Sequence, residues 1–520
     1  MEITAFLNHL KSLPGYDGQI VHTEHIPARR AVYGELDEPL APELQECLDT
    51  RGLSRLYSHQ AKAVNAARAG KNVIIATSSA SGKTLCYNIA VLQSMLSRPG
   101  GRAIYLFPTK ALAQDQLGTL RELFCPRILP FETVSTFDGD TPRPERADIR
   151  KQGRIILTNP DMLHVGILPN HQFWAAMLRR LRYVIVDEAH FYRGVFGSHV
   201  AGVLRRLRRL CRLYGSSPQF ILCSATVANP GEHAEGLTGL PCEVVDEDGS
   251  PRGWKAFVFW NPPLMDDKKT ARKSAHWEAT GLFTELVSQG TRTLTFTRTR
   301  RLTELIYIYA RQRLREESYE LSRLIMPYRA GYLPEDRRKI ERDLFGGNLL
   351  CVVATNALEL GIDSGGLEAT ILDGYPGSIS STWQQAGRSG RGQDESLSFL
   401  VAWDNPLDQY FMRHPSSFFQ KGFEHVLVNP GNTYILKSHL LCAAWERPLD
   451  NTDEEIFGDE FTKERDSLTE EKQLRVRHGR WYLAPSISYP AQSVNIRSSS
   501  GEEIAVVDVA TGSMMETAIL

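Results

Sequence analysis

Three short polar segments of this sequence carry groups that can bind and cleave a phosphate anhydride. Ser81-Gly82-Lys83-Thr84 combines a glycine, an ammonium group and a hydroxyl group, the residue types that hold the phosphates and metal ion of a nucleoside triphosphate. Asp187-Glu188-Ala189-His190 supplies one carboxylate for the metal and one for a water molecule. The segment 384–391 carries two arginines that can neutralise γ-phosphate charge. Together and in this order, the segments predict ATP hydrolysis.

The phosphate loop stands in a suitable sequence context. It follows the apolar run Val73-Ile74-Ile75 and precedes a helical run from Leu85 to Leu96, so that N–H groups at a helix N-terminus can face the phosphates. We expect Ser81, Gly82 and Lys83 to bind ATP and Thr84 to hold Mg²⁺. Thr77 replaces the glycine that begins the usual pattern, so this segment alone also fits a turn before a helix.

The other polar segments also follow apolar runs. Asp187 is the expected magnesium ligand and Glu188 the expected catalytic group, although an isolated carboxylate pair is more often simply solvated. Ser224-Ala225-Thr226 is an ordinary polar turn by itself. Its two hydroxyl groups, Ser224 and Thr226, are expected to couple Asp187 to a second lobe, and His190 either caps or couples. The expected catalytic residues of that second lobe are Gln384, Arg388 and Arg391, in a segment that alone fits a basic surface loop.

The apolar runs predict two α/β lobes. Five runs in the first block and four in the second are separated by helical stretches, which is typical of parallel sheets covered by helices on both faces. The second block lacks a phosphate loop of its own, so ATP is expected between the lobes. The nine predicted strands are 73–75, 103–107, 155–157, 183–186 and 220–222 in the first block, and 293–296, 349–353, 369–372 and 398–401 in the second.

Composition excludes several classes of protein. No run approaches the roughly 18 apolar residues that cross a bilayer, and the N-terminus lacks the pattern of a signal peptide, so a cytoplasmic protein without a membrane partner is expected. The eight cysteines include no Cys-x-x-Cys pair, which argues against a zinc ribbon or a disulfide framework. The net charge of −1 gives no argument for a nucleic-acid partner.

A cluster of arginines follows the acidic segment on helical sequence. Two interpretations are open: contacts with nucleic-acid phosphates, or a solvated helix face, and the second is favoured about two to one because arginine is mostly exposed in proteins. The arginines are Arg205, Arg206, Arg208, Arg209 and Arg212.

As a set, the segments resemble those of superfamily 2 helicases, over residues 53–400, and the DEAH form is similar to the MrfA/YprA-like DNA repair helicases. The softer resemblance to that subfamily rests on segments 249–253, 260–263, 439–444 and 494–498. The resemblance implies that Gln60, in Tyr57-Ser58-His59-Gln60, reads adenine. It also implies nucleic-acid backbone contacts from Thr109 and Lys110 in segment 108–114 and from Asn159 in segment 158–161, and a link between strand contact and ATP through Thr355 and Asp363 in segment 354–363.

The resemblance further implies ATP-driven 3′-to-5′ unwinding of single-stranded or tailed duplex DNA in repair. The alternatives are an RNA helicase, which uses the same motor parts, and a scaffold that holds ATP and nucleic acid without hydrolysis. No residue identifies a repair nuclease as partner. Such helicases usually continue into a cysteine-rich zinc domain, whereas this sequence ends at Leu520 without those cysteines, so a truncated member without zinc is expected.

The expected fold is therefore α/β: two tandem RecA-like parallel-sheet lobes followed by a small winged-helix-like module. The polar stretch 246–253 marks a boundary after the first lobe. The expected divisions are an N-terminal segment (1–50), the first lobe (51–245), a linker (246–275), the second lobe (276–415) and the C-terminal module (416–520).

Overall fold

The structure is a computed structural model that describes residues 2–125, 127–265, 271–329, 331–359, 366–390, 394–420, 422–497, 503–507 and 514–519. Contacts between Cα atoms divide the chain into two compact units. The first-lobe unit comprises Gly34–Thr77, Gly82–Glu247 and the described residues from His425 onward. The second-lobe unit comprises the described residues up to Tyr33, together with Ser78–Ser81 and Asp248–Glu424.

Helices and strands alternate through the first half of the chain, as the apolar runs predict. Short 3₁₀ turns connect some of them, and Leu163–Ile167 forms a π-helical turn. The elements are α1 (Ile3–Ser12), β1 (Ile20–Ile26), α2 (Pro42–Asp49), α3 (Ser58–Arg68), β2 (Val73–Ala76), α4 (Lys83–Ser97), β3 (Arg102–Leu106), α5 (Lys110–Phe124), β4 (Val134–Thr136), α6 (Glu145–Gln152), β5 (Ile155–Thr158), α7 (Pro160–Met162), α8 (Ala175–Arg179), β6 (Leu181–Val186), α9 (Gly194–Tyr214), β7 (Gln219–Ser224), α10 (Pro230–Thr238) and β8 (Glu243–Val245).

Alternation continues to about residue 400, after which helices dominate. The elements are β9 (Lys255–Trp260), α11 (Ala275–Ser288), β10 (Thr293–Phe296), α12 (Arg300–Glu317), β11 (Ile325–Tyr328), α13 (Pro334–Phe345), β12 (Cys351–Ala354), β13 (Ala369–Asp373), α14 (Ile379–Ala386), β14 (Ser396–Val401), α15 (Pro406–Arg413), α16 (Ser416–Phe419), α17 (Thr433–Glu446), α18 (Glu454–Phe457), α19 (Glu460–Glu470), β15 (Leu474–Arg477), β16 (Arg480–Leu483), β17 (Glu503–Val507) and β18 (Met514–Ile519). Among the residues described, no helix is both long and apolar enough to cross a membrane.

The first-lobe sheet is parallel throughout. Its seven strands run in the order β4-β5-β3-β6-β7-β2-β8. The central strands β2, β3, β5 and β7 are buried apart from the first residue of β7, because helices cover both faces. All carboxyl ends of parallel strands meet at one edge of a sheet, so the polar segments after these strands share that edge.

The second-lobe sheet also has seven strands, in the order β1-β9-β14-β13-β10-β12-β11. All neighbours are parallel except β1, which pairs antiparallel with β9 at the edge. The N-terminal segment thus contributes a strand and the packed helix α1 to this unit. Strand β9 lies inside the range that the sequence assigns to a linker. The two parallel-sheet lobes themselves confirm the predicted α/β fold.

The C-terminal module packs on the first lobe. Helices α17, α18 and α19 and the antiparallel hairpin β15–β16 enclose a small apolar core of their own. Helix α17 lies against α9 of the first lobe. The strands β17 and β18 pair antiparallel near the C-terminal end of the chain.

Candidate functional site

The phosphate loop joins β2 to α4, whose first residue is Lys83. Gly82 precedes the helix in the left-handed conformation, with φ 81°. A Cβ atom at this position would lie 2.5 Å from Nε2 of Gln60, so only glycine leaves the room that the loop needs. Gln60 donates a hydrogen bond to the Gly82 carbonyl oxygen at 3.1 Å and accepts one from the Tyr57 backbone N–H at 2.9 Å. The segment implied to read adenine is therefore fastened to the phosphate loop.

The cation and hydroxyl groups of the loop lie where the sequence predicts. Lys83 begins α4, and its Nζ donates to the Thr77 carbonyl oxygen at 3.0 Å, across the base of the loop. Thr84 follows in the first helical turn, and Ser81 is buried. A lysine and backbone N–H groups at a helix N-terminus together form a site for a phosphate group.

Asp187 and Glu188 follow β6 at the same edge of the sheet. Asp187 is buried, accepts a hydrogen bond from the Tyr87 hydroxyl at 3.2 Å, and accepts another from the Glu188 backbone N–H at 2.9 Å. Burial raises the pKa of Asp187, and the negative charge of Glu188 raises it further. Glu188 itself adopts the left-handed conformation, with φ 49°, which is uncommon for a residue with a side chain and is typical of functional positions.

These groups fit a magnesium ion. Mg²⁺ prefers oxygen ligands, and this edge offers the carboxylate of Asp187 and the hydroxyl of Thr84. The raised pKa of Asp187 reflects a buried carboxylate beside a second negative charge, which a divalent cation would offset. Thr84 and Asp187 are the residues that would hold the ion.

His190 contacts the segment that follows the neighbouring strand β7. Its Nδ1 accepts a hydrogen bond from the Ala225 backbone N–H at 3.1 Å and lies 3.6 Å from a carboxylate oxygen of Glu188. The proton of the neutral ring is therefore on Nε2. The Ser224 hydroxyl donates to the Ala225 carbonyl oxygen at 2.7 Å, and Thr226 is half-buried. The acidic segment and Ser224-Ala225-Thr226 are thus joined through His190 and Ala225.

The predicted backbone-contacting residues follow β3 and β5, on the other side of β6 from the phosphate loop. Thr109 and Asn159 each cap the helix that follows, by accepting from Leu112 N–H at 3.3 Å and from Met162 N–H at 2.8 Å. Lys110 is paired with exposed Asp140 at 2.8 Å. Helix N-termini with exposed N–H groups contact phosphates in many nucleic-acid complexes.

Arg497 is a residue at this edge that sequence analysis missed. Its guanidinium group holds both carboxylate oxygens of Asp161 and donates to the Pro108 carbonyl oxygen at 2.9 Å. It therefore connects the segments after β3 and β5 to the C-terminal module. The only sequence signal was its place in segment 494–498, which resembles the subfamily.

Two arginines of α9 lie in neither of the expected environments. Arg206 and Arg209 are fully buried, and both bind acidic residues of the C-terminal module. Arg206 pairs with Glu446, and Arg209 pairs with Asp453 at 2.7 Å. The interpretation as a solvated face is wrong for these two, because the module covers this side of the helix. Arg205 is also buried, Arg208 is partly exposed, and Arg212 forms an exposed pair with Glu455.

The second-lobe residues converge around Glu359. Arg388 is buried and donates to the Glu359 carbonyl oxygen, while Gln385, beside the buried Gln384, donates to the Glu359 carboxylate at 2.8 Å. Thr355 is buried directly after β12. Asp363 and Arg391 lie outside the described residues.

Lys255 is a second residue that sequence analysis missed. Burial lowers its pKa to about 7. Its ammonium group donates to the carbonyl oxygens of Ala386 and Ser389, and to the Ser389 hydroxyl at 3.1 Å. It thereby anchors the loop that carries Arg388.

Two α/β lobes, one with a phosphate loop and a paired carboxylate segment, define the two-lobed motor ATPases as the class of protein. Comparison with known families agrees. The DEAD/DEAH box helicase domain matches residues 57–233, the helicase conserved C-terminal domain matches residues 278–393, and the winged helix domain of the ATP-dependent helicase HRQ1 matches residues 428–499. The last match confirms the predicted winged-helix module.

Individual proteins match over nearly the whole chain. The ATP-dependent helicase YprA of Bacillus subtilis strain 168, described as uncharacterized, is 44% identical over 97% of this chain and 66% of its own length. The helicase HRQ1 of Saccharomyces cerevisiae is 40% identical over 98% of this chain and 48% of its own length. The crystal structure of the DUF1998 helicase MrfA bound to DNA has a TM-score of 0.90 and 43% identity, over 99% of this chain and 68% of that chain. The chain belongs to the MrfA/YprA-like family of superfamily 2 DEAD/DEAH-box helicases, and it spans about half to two thirds of the length of these relatives.

Proposed function

We propose that the chain is an ATP-hydrolysing motor that translocates on DNA and unwinds it in the 3′-to-5′ direction during DNA repair. The observation that carries the proposal is the order of groups along one edge of the first-lobe sheet. The phosphate loop follows β2, the carboxylates follow β6, and the helix N-termini proposed to contact nucleic acid follow β3 and β5. Nucleotide and strand therefore share one edge, with Asp187 and Glu188 between them. The DNA-bound state of MrfA supports DNA as the polymer.

Each predicted site residue has a proposed role. Lys83, with Ser81 and Gly82, binds the phosphates, and Gln60 binds adenine. Thr84 and Asp187 hold Mg²⁺, which supplies positive charge against the β- and γ-phosphates. Glu188 orients the attacking water and accepts its proton. Gln384, Arg388 and Arg391 are proposed to stabilise the charge of the γ-phosphate, and Thr355 and Asp363 to transmit strand contact to the ATP site. His190, Ser224 and Thr226 are proposed to couple the acidic segment to the second lobe. The residues proposed to contact the strand are Thr109, Lys110 and Asn159.

Glu188 is well placed for a charge-dependent role. Its backbone conformation and the hydrogen bond from its N–H to Asp187 fix the start of its side chain, while His190 lies 3.6 Å from its carboxylate. The neutral Glu188→Gln variant keeps the size of the side chain but cannot accept a proton from water. We expect ATP binding to persist and turnover to fall on the order of 100-fold or more.

The deciding experiment measures steady-state ATP hydrolysis without polymer, with single-stranded DNA and with single-stranded RNA, using Glu188→Gln as the control. Stimulation by DNA that is lost in the control supports the proposal. Stimulation by RNA alone would identify an RNA helicase, and binding of ATP without any turnover would identify a scaffold. Polarity follows from comparing the unwinding of duplexes that carry a 3′ or a 5′ single-stranded tail.

We also propose a reducing compartment, such as the cytoplasm, as the site of action. All eight cysteines lie in the described part of the chain and are free thiols, and seven of them are buried. Reduced cysteines are typical of proteins that are not exported.

A further inference from the structure

A cleft opens at the amino-terminal edge of the first-lobe sheet, opposite the phosphate loop. It has a volume of about 650 Å³ and lies where the chain enters β3, β6 and β7. Strand β6 has six residues, so the two edges are about 20 Å apart. The cleft is therefore separate from the proposed ATP site.

Arginine dominates the lining of this cleft. Arg98, Arg179, Arg180 and Arg182 line it and are exposed, and among the described residues no aspartate or glutamate lines it. Within the residues that the structure describes, none of these four guanidinium groups makes a hydrogen bond or an ion pair with another group of the protein. Four cations in one concave surface without a counter-charge repel one another, and an anion would relieve that repulsion.

Two further arginines increase the positive charge behind the cleft. Arg102 is buried, and its backbone N–H donates a hydrogen bond to the Arg180 carbonyl oxygen at 3.0 Å. Burial lowers the pKa of Arg102, and the charges of Arg180 and Arg154 lower it further. Two guanidinium nitrogens of Arg154 are buried without a hydrogen-bond partner among the described residues. The guanidinium group of Arg102 donates to the carbonyl oxygens of Arg150 and Lys151, so the two partnerless nitrogens of Arg154 are the buried positive charge that remains uncompensated.

The walls of the cleft suit an extended ligand. Gly70, Gly100, Gly101 and Gly215 contribute backbone without side chains, which lets another backbone approach closely. The stem of Arg182 lies beside Gly101, where an added Cβ atom would come within 3.2 Å of its Cδ atom. One guanidinium group can bind two phosphate oxygens at once, which makes arginine the favoured residue for phosphate recognition.

We propose that this cleft binds the phosphodiester backbone of a nucleic-acid strand, as a second contact on the first lobe. This inference rests on the proposed function, because it assigns the cleft to the polymer on which the motor acts. A strand that reaches both edges of the lobe must be long, so the contact adds to the binding of long strands more than of short ones.

The test is a triple variant of the full chain, Arg98→Gln, Arg180→Gln and Arg182→Gln. The matched control is Arg315→Gln, Arg338→Gln and Arg413→Gln, which removes the same charge from three exposed arginines of the second-lobe unit. Fluorescence anisotropy measures the binding of single strands of about 40 and about 10 nucleotides at several salt concentrations. For the long strand, we expect the cleft variant to bind on the order of tenfold more weakly. Its slope of log affinity against log salt should be smaller by about 2, because each lost phosphate contact changes the slope by about 0.7.

Equal slopes for the two triple variants would overturn the proposal. Thermal unfolding with tripolyphosphate distinguishes a nucleic-acid backbone from a free polyphosphate as the ligand of the cleft. If the cleft variant loses only the stabilisation by tripolyphosphate, the cleft holds a free polyphosphate and the nucleic-acid assignment is wrong. ATP hydrolysis at saturating DNA should remain as in the control variant. If the unaltered chain hydrolyses no ATP with any polymer, the proposed function fails, while the comparison of slopes still decides what the cleft binds.

Discussion

Arg497 and Asp161 form a two-point ion pair between the C-terminal module and the first lobe. Nε of Arg497 lies 2.9 and 3.0 Å from the two carboxylate oxygens of Asp161, and a terminal nitrogen lies 2.7 Å from one of them. The same guanidinium group donates to the Pro108 carbonyl oxygen and stacks over the ring of Phe196 at 4.8 Å. One side chain thus holds together the two segments proposed to contact nucleic acid.

Arg497→Ala is predicted to weaken the response to DNA without changing basal turnover. The ion pair is partly exposed, so its loss is worth about 1 kcal/mol. That corresponds to a three- to tenfold rise in the DNA concentration that gives half-maximal ATP hydrolysis. Titration of ATPase activity with single-stranded DNA measures this change. Arg497→Lys should recover only part of it, because an ammonium group cannot hold two oxygens and a carbonyl in one plane.

Arg212→Ala is the matched control for this prediction. It removes another exposed ion pair between α9 and the C-terminal module, with Glu455 at 2.7 Å, at a distance from the contacting segments. The DNA dependence should stay unchanged in this variant. The same loss in both variants would mean that general docking of the module, and not the contact to Asp161, controls the response.

The buried pair of Arg206 and Glu446 leads to a prediction about stability. Both side chains are fully buried, so Arg206→Met leaves a carboxylate without its counter-charge in the protein interior. We expect the free energy of unfolding to fall by about 3–5 kcal/mol. Urea unfolding followed by fluorescence measures it. The double variant Arg206→Met with Glu446→Leu should recover most of this loss, because it removes both charges together. A double variant as unstable as the single one would contradict this account.

Local sequence patterns were enough to predict most of the buried strands of both lobes. The run Val73-Ile74-Ile75 and the run from Thr293 to Phe296 are apolar because helices cover both faces of a parallel sheet. The sequence did not predict the edge strands, and the reasons are physical. Strand β1 is mostly polar and only partly buried, and β11 contains Pro327, which is tolerated at an edge. The apolar strand β9 was assigned to a linker because a polar stretch precedes it.

The positions of the candidate site residues in the fold could be predicted where the residues belong to one segment. Lys83, Asp187 and Glu188 follow their strands as the sequence indicates. Contacts between distant segments could not be predicted, because their partners are set by tertiary packing. Arg206 meets Glu446 across 240 residues, and Arg497 meets Asp161 across 336 residues. A buried arginine and a solvated one have the same local sequence until the partner element is known.

The buried, neutral ring of His164 leads us to predict that the folded protein loses stability in mild acid. Its Nε2 faces the Val494 carbonyl oxygen at 3.1 Å, and its Nδ1 accepts from Arg206 at 2.6 Å, so the folded protein requires the neutral ring. Burial lowers the pKa of His164 to about 3, and the charge of Arg206 contributes. The unfolded chain takes up a proton below about pH 6.5 while the folded chain does not. This group therefore removes about 1.4 kcal/mol of stability for each pH unit as the pH falls from about 6.5 to about 3.

His164→Gln isolates this effect. Glutamine can donate to Val494 and accept from Arg206, but it does not titrate. Urea unfolding of both proteins is measured between pH 4 and 7, which covers most of the range from about 3 to about 6.5. The free energy of unfolding should depend less on pH in the variant. Parallel curves for the two proteins would contradict a neutral, buried His164.

Gly82→Ala is predicted to impair ATP binding beyond its cost to the backbone. A Cβ atom would lie 2.5 Å from Nε2 of Gln60, which is held by its bond with the Tyr57 N–H, so Gln60 must leave the phosphate loop. The left-handed conformation, with φ 81°, adds about 1–2 kcal/mol of strain. We expect the affinity for a fluorescent ATP analogue to fall on the order of tenfold or more. Gly52→Ala is the control, because Gly52 has φ 69° and, among the described atoms, none within 4 Å of an added Cβ. It should show the backbone cost in thermal unfolding with unchanged nucleotide affinity, and an equal loss of affinity in both variants would show that contact with Gln60 plays no part.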